Sequence, residues 1–155
     1  RGIDLNTIFV DECKEMGLDV EYGEALTCLK RHKPNSFSVI SAFHLIEHLP
    51  LKALISLMDE ALRVLAPGGL LLFETPNPRQ LLVGAGDFYR DPDHNNPIFP
   101  DTLAFIGEQR GFVSSGAYYL HPDTRELTPS KEQKFDSLED YLTVSRDYAW
   151  LGYKS

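Results

Sequence analysis

Positive charge is scarce in this 155-residue chain. Fifteen Lys and Arg stand against 23 Asp and Glu, a formal net charge of −8. A protein that grips a phosphate backbone needs clustered Lys and Arg to displace counterions, so a general nucleic-acid binder is disfavoured. Long apolar runs are missing too. None approaches the ~20 residues of a membrane span, and no secretory signal pattern is visible at the start. Cysteine is rare. Cys13 and Cys28 lie in amphipathic stretches without metal-type spacing, which reads as two reduced structural thiols in a cytoplasmic protein.

What is present is ordinary for a globular fold: 43% hydrophobic and 25% charged residues, enough for one domain and short for two. The periodicity alternates. Arg1 to Leu5 is strand-like. Thr7 to Met16 suits a helix, with Ile8, Phe9, Cys13 and Met16 apolar, Asn6 as N-cap and Gly17 as stop. Leu18 to Tyr22 alternates as a strand, and Glu24 to His32 is a short helix closed by Lys33-Pro34-Asn35-Ser36. Phe37 to Phe43, β-branched and nearly uncharged, fits a strand buried on both faces.

The clearest helix spans Leu51 to Leu65, with Leu54, Leu57, Met58, Ala61, Leu62 and Leu65 in one stripe. Pro67-Gly68-Gly69 should end it and turn the chain into a buried strand, Leu70 to Thr75. Five of the ten prolines then fall between Pro76 and Pro100, so this stretch is expected to be a lid or acceptor loop. Beyond it the pattern predicts a helix over Asp101 to Arg110 stopped by Gly111. A strand over Phe112 to Leu120, a polar loop over 121–134, a helix over Ser137 to Ser145 and a closing strand over Asp147 to Lys154 complete the chain.

Strands alternating with helices point to a doubly wound α/β sheet, in which ligands bind beyond the carboxyl ends of the strands. The strand ends carry a family resemblance. GIDLN at Gly2 to Asn6 resembles the second-strand motif of class I (Rossmann-like) S-adenosylmethionine-dependent methyltransferases, YGEALTCL at Tyr22 to Leu29 the segment after their third strand, FSVISAFHLIEHL at Phe37 to Leu49 the fourth, and LRVLAPGGLLLFETPN at Leu62 to Asn77 the fifth. The terminal DYAWLGYK is similar to their last, antiparallel strand.

The resemblance implies a mostly parallel sheet with an antiparallel last strand, and S-adenosylmethionine as cofactor. It implies Asp4, with Leu5, at the cofactor's ribose, where a carboxylate accepts from two hydroxyls at once. Glu24 and Ala25 fall beside the adenine, and Ala42, Phe43 and His44 beside the methionine part. It also implies that residues 1–155 form a partial domain, truncated before the first strand and its glycine-rich loop. Arg1 leads almost at once into a strand, and a natural start offers some disposable tail; sequence upstream is expected, and the chain as given is expected to hold only part of the cofactor pocket.

His44, Glu47 and His48 would share a face of a helical turn. HxxEH is also an inverted zinc-protease motif, but Pro50 follows too soon for the long helix that a metal hydrolase needs. The set is similar as well to the Glu-x-x-Glu-His element of small-RNA 2'-O-methyltransferases, which with a later histidine holds a divalent metal. Here His44 replaces the first Glu and His94 is the later histidine. The resemblance implies a metal set of His44, Glu47, His48 and His94, shifted toward zinc, manganese or iron by its nitrogens.

Without a metal, His48 or His94, with Glu47, is a candidate catalytic base for an alcohol acceptor. A third reading leaves Glu47-His48 as a turn that packs beside the cofactor. Trp150 reads as a packing residue, Asn77 as a turn former, and Tyr89, Arg90 and Asp91 as acceptor-pocket or solvated lid residues. The expected function is O-methylation of a small molecule or saccharide. The alternative is a non-catalytic methyltransferase-like binding or scaffold module.

Overall fold

The computed structural model describes residues 1–120 and 137–155; the loop expected over 121–134 lies outside the described residues. Among the described residues six strands fall into two sheets. β1 (Gly2–Asp4) and β2 (Val20–Tyr22) pair in parallel, and β3 (Phe37–Phe43), β4 (Leu65–Pro76), β5 (Phe112–Leu120) and β6 (Asp147–Lys154) form a sheet in the order β3-β4-β6-β5. β3 is parallel to β4, while β6 runs antiparallel to both β4 and β5. This is the α/β arrangement the sequence implied, with its reversed last strand.

The helices begin and end where the residues dictate. Asn6 caps α1 (Thr7–Glu15) through Ile8 N at 3.0 Å, and Gly17 continues the chain at φ +78°. α3 (Leu51–Val64) turns Leu54, Leu57, Met58 and Ala61 inward. With Leu103 of α5 (Pro100–Arg110) they pack on Leu71 and Phe73 of β4, Phe112 and Tyr119 of β5, and Tyr148 and Trp150 of β6. Gly111, at φ +102°, takes the left-handed position that stops α5.

Three expectations need correction. No residue of β3 is fully buried, and Val39 and Phe43 are more than half exposed. Among the described residues β3 hydrogen-bonds only to β4, so it is an edge strand. The apolar stripe of α1 is also open: Ile8, Phe9 and Met16 are exposed, and only Val10 is buried.

Pro67-Gly68-Gly69 does not separate helix from strand. β4 already starts at Leu65, and the three residues form a bulge where Phe37 pairs with Leu65 but Val39 with Leu70. Finally, the stretch from Pro76 to Pro100 is not a bare loop. It contains α4 (Leu81–Ala85) and a single 3-10 turn, Asp87–Arg90. Buried Gln80 accepts from Val83 N at its start and donates to Leu142 O at 3.0 Å. An ion pair of Arg146 with Asp87 also pins this stretch to the segment before β6.

Candidate functional site

The strand ends place the expected residues along the carboxyl edges of the two sheets. Asp4 ends β1, exposed, with Oδ1 accepting from Asn6 N at 2.6 Å. Its second oxygen carries no hydrogen bond among the described residues, as a group that meets a pair of hydroxyls should. Leu5 follows it, also exposed. On this observation the cofactor's ribose fits the edge of β1.

Glu24 has a structural task as well. Its two oxygens accept from Leu26 N (2.8 Å) and Thr27 N (2.7 Å), capping α2 (Ala25–Lys30). Burial opposes its ionisation, but the hydrogen bonds from Thr27 and Leu26 outweigh that and hold its carboxyl below the usual carboxylate range. Each oxygen keeps a further lone pair. Glu24→Ala should cost about 1 kcal/mol as a lost cap, readable by urea unfolding. Since the folded-state pKa is depressed, this contribution is present above the unfolded pKa and fades as pH falls through the folded one. A wild-type-minus-variant difference that stays constant down through the carboxylate range would contradict the assignment.

At the end of β3 the chain turns sharply. His44 stands at φ +47°, its N–H donating to Glu74 O at 2.9 Å, and the 3-10 turn Ile46–His48 follows. This turn, not a helix, sets the geometry of the His44-x-x-Glu47-His48 set. Glu47 is sealed from solvent. Its Oε1 accepts from His44 Nδ1 at 3.1 Å, and its Oε2 from the buried Thr75 hydroxyl at 2.9 Å. The hydrogen bond to Glu47 raises the pKa of His44, partial desolvation works against it, and the carboxylates of Glu47, Asp147 and Glu74 add to the rise. Half of the His44 side chain remains exposed, next to Ala42 and Phe43 on the strand end.

His48 and His94 meet although they are 46 residues apart in sequence. Their ring centroids are 4.7 Å apart. His48 Nδ1 lies 3.3 Å from Asp93 O, and His94 Nδ1 2.7 Å from Phe88 O. A carbonyl can only accept, so both Nδ1 atoms carry a proton, and in the neutral ring Nε2 is the atom with the lone pair. One donor atom each of Glu47, His48 and His94 lies within 4.8 Å of the others. His44 stands outside that group, tied to Glu47 instead.

Sequence reasoning missed the clip that brings these pieces together. Asn95 N donates to Glu47 O at 2.8 Å, and Asn95 Nδ2 to His48 O at 2.5 Å. No local pattern marks such a contact. Asn77, by contrast, does the work expected of a turn former: its side chain donates to Ser145 O and accepts from Arg79 N. Burial pushes the phenol of Tyr148 well above its usual range, and its hydroxyl donates to Ile98 O at 2.9 Å, fastening the end of the 76–100 stretch to β6.

A cleft of about 390 Å³ opens beside α4, lined by Pro78, Arg79, Leu81, Tyr89, Phe99 and Tyr141 among others. None of Glu47, His48 and His94 lines it. Phe88 connects the two places, its ring 5.4 Å from that of Tyr89 in the cleft and 4.5 Å from that of His94 in the cluster.

A parallel α/β sheet with a reversed last strand, and polar groups gathered beyond its carboxyl ends, defines the class I methyltransferase fold. The sequence model of the methyltransferase domain family matches residues 6–114, and the chain belongs to that family, whose methyl donor is S-adenosylmethionine. A SAM-dependent methyltransferase from Archaeoglobus fulgidus superposes with a TM-score of 0.82 at 25% identity, over 99% of this chain and 75% of that one. One from Thermotoga maritima gives 0.77 at 14% identity, over 99% and 72%. Phosphoethanolamine N-methyltransferase 2 of Haemonchus contortus, solved with S-adenosyl-L-methionine, gives 0.68 at 19%, over 99% and 42%. No curated protein matches the chain.

Proposed function

We propose that the protein methylates oxygen on a small molecule, with a saccharide hydroxyl as acceptor. The observation that carries this reading is the facing pair His48 and His94. Both hold Nδ1–H on a backbone carbonyl, so that in the neutral ring Nε2 is the atom that can accept a proton. An alcohol must lose its proton as it attacks, whereas a neutral amine brings a free lone pair. Two basic nitrogens beside the cofactor edge therefore fit an alcohol better than an amine.

S-adenosylmethionine, when bound, supplies a methyl group made electrophilic by its sulfonium. Asp4 and Leu5 would hold its ribose, Glu24 and Ala25 its adenine, and Ala42, Phe43 and His44 its methionine part. The chain's own task is then at the acceptor. Nε2 of His48 or His94 takes the hydroxyl proton, while Glu47, with no surface of its own, positions the turn that carries His48. It is a positioning residue.

The saccharide assignment rests on the cleft, whose aromatic walls Tyr89, Phe99 and Tyr141 suit the flat C–H faces of sugar rings. The name of the Haemonchus contortus enzyme is that of a small-molecule methyltransferase, which supports an acceptor of that size. The test is transfer of labelled methyl from S-adenosylmethionine to a panel of saccharides, simple alcohols and amines. Hydroxyl acceptors should exceed amines by at least about a hundredfold, the lower edge of what a positioned base contributes. Turnover confined to amines would overturn the oxygen assignment, and no calorimetric binding of S-adenosylmethionine would overturn the enzymatic reading itself.

A further inference from the structure

We propose that the cleft beside α4 takes an acidic sugar, anchored by Arg79 through a carboxylate or phosphate group on the ring. The choice of a sugar rests on the oxygen-methylation reading above; the anionic anchor is measured without turnover. The chemistry of the lining carries it. Pro78, Leu81 and Phe99 are apolar, Tyr89 and Tyr141 offer aromatic faces, and Arg79 is the one charged residue among those that line the cleft. A largely apolar hollow with a single cation fits a ligand with C–H faces and one negative group.

Arg79 is placed by the fold. It stands three residues beyond the end of β4, where its backbone N–H donates to Asn77 Oδ1 at 3.0 Å. Asn77 is fixed in turn to Ser145 O at 2.8 Å. The Arg79 side chain is a quarter exposed, and its guanidinium meets the carboxylate of Asp101 and the hydroxyl of Tyr119.

These two partners differ. Tyr119 is buried and uncharged, so it orients the guanidinium without cancelling its charge. Asp101 is 81% exposed, and an ion pair with so exposed a carboxylate contributes little. Such a partner yields to a ligand anion that binds inside the cleft. Five N–H donors in a rigid fork match a carboxylate or a phosphate, and apolar walls strengthen the attraction by lowering the local dielectric.

The anchor leaves the proton transfer where it was. Tyr89 in the cleft packs on Phe88, and the same Phe88 ring packs on His94. Arg79 holds the acid group of the acceptor, and Nε2 of His48 or His94 takes the proton of its hydroxyl.

A chain with a net charge of −8 repels anions at long range, so a preference for them has to come from a local contact. The experiment titrates the protein with glucose, glucuronate and glucose 6-phosphate by ligand-observed nuclear magnetic resonance. At least one of the two anions should bind about tenfold more tightly than glucose, the margin of a hydrogen bond to a charged group. The tighter anion identifies the group as carboxylate or phosphate. Arg79→Gln should erase the difference, and Arg79→Lys should keep part of it, because the charge stays while the fork is lost.

Asp101→Asn breaks the same ion pair from the other side. It should hold or raise the anion preference, since it removes the competing carboxylate. Equal binding of glucose and both anions by the wild type, or a preference that survives in Arg79→Gln, overturns the anchor. A loss in Asp101→Asn as large as that in Arg79→Gln also overturns it, because the ion pair is then merely structural. If Arg79→Gln unfolds by circular dichroism, Arg79→Lys takes its place in that comparison, and equal losses again overturn the anchor.

Methyl transfer separates the anchor from the oxygen assignment. Propylamine and β-alanine are amines that differ in a terminal methyl against a carboxylate. Methylation of β-alanine in preference to propylamine, with every sugar inert, supports the anchor and sinks the oxygen assignment. Equal methylation and equal binding of glucose and both anions sinks the anchor and spares the oxygen assignment.

Discussion

Trp150→Ala should lower the unfolding free energy by about 3–5 kcal/mol, the usual cost of emptying a large aromatic site in a core. For a chain of this size the midpoint of thermal unfolding falls by about 10 °C. Trp150 is completely buried at the centre of β6, its ring stacked on Phe73 of β4 and edge-on to Phe112 of β5. It therefore joins three neighbouring strands. Two glycines make room for it: a Cβ on Gly107 of α5 would come within 2.3 Å of Trp150 Cζ2, and one on Gly152 within 2.4 Å of Cη2.

Trp150→Phe isolates the packing. The indole Nε1 is buried with no hydrogen-bond partner among the described residues, and an orphaned donor costs about 1–3 kcal/mol. Phenylalanine removes that penalty along with part of the ring, so its net loss should be well below that of alanine. Gly107→Ala should destabilise the wild type and do far less harm in the Trp150→Phe background, because the clashing atoms are gone. Equal effects in the two backgrounds would show that the helix, not the indole, rejects the extra carbon.

The contrast between Gly107 and the cluster residues explains what could be read from the sequence. Element type and order followed from local periodicity, and β5 and β6 appear at the bounds that the pattern gave. Strand ends were readable for the same reason, which is why Asp4 and His44 could be located at all. Burial was not. Periodicity says which face of α1 is apolar but not what covers it, and Ile8, Phe9 and Met16 stand exposed.

The two short helical pieces between Pro76 and Pro100 also escaped, since α4 has five residues, too few to show a 3.6-residue repeat. Spacing placed His44, Glu47 and His48 on one helical face. The left-handed His44 and the short 3-10 turn instead bind His44 to Glu47 and bring Glu47 and His48 to His94. The Asn95 clip that completes this joins residues almost fifty positions apart, and no local rule reaches that far.

Glu47→Ala is the variant with the largest expected effect on activity. It removes the acceptor of the buried Thr75 hydroxyl, which then costs about 1–3 kcal/mol as an unmade hydrogen bond. It also frees the His44 ring and strips the carboxylate from beside His48 and His94. Methyl transfer should fall by about 10²–10⁴-fold, the span a positioned proton acceptor contributes, with kcat carrying the loss. Such a result by itself mixes folding with chemistry.

Glu47→Gln separates them. The amide keeps the volume, its oxygen still accepts from His44 Nδ1, and the Thr75 hydroxyl can turn to accept from the new NH₂ group. Stability should therefore return to within about 1 kcal/mol of the wild type, while the negative charge stays absent. If the carboxylate serves only to pack the turn, Glu47→Gln recovers turnover along with stability. If its charge acts on the acceptor through the histidines, stability recovers and kcat does not.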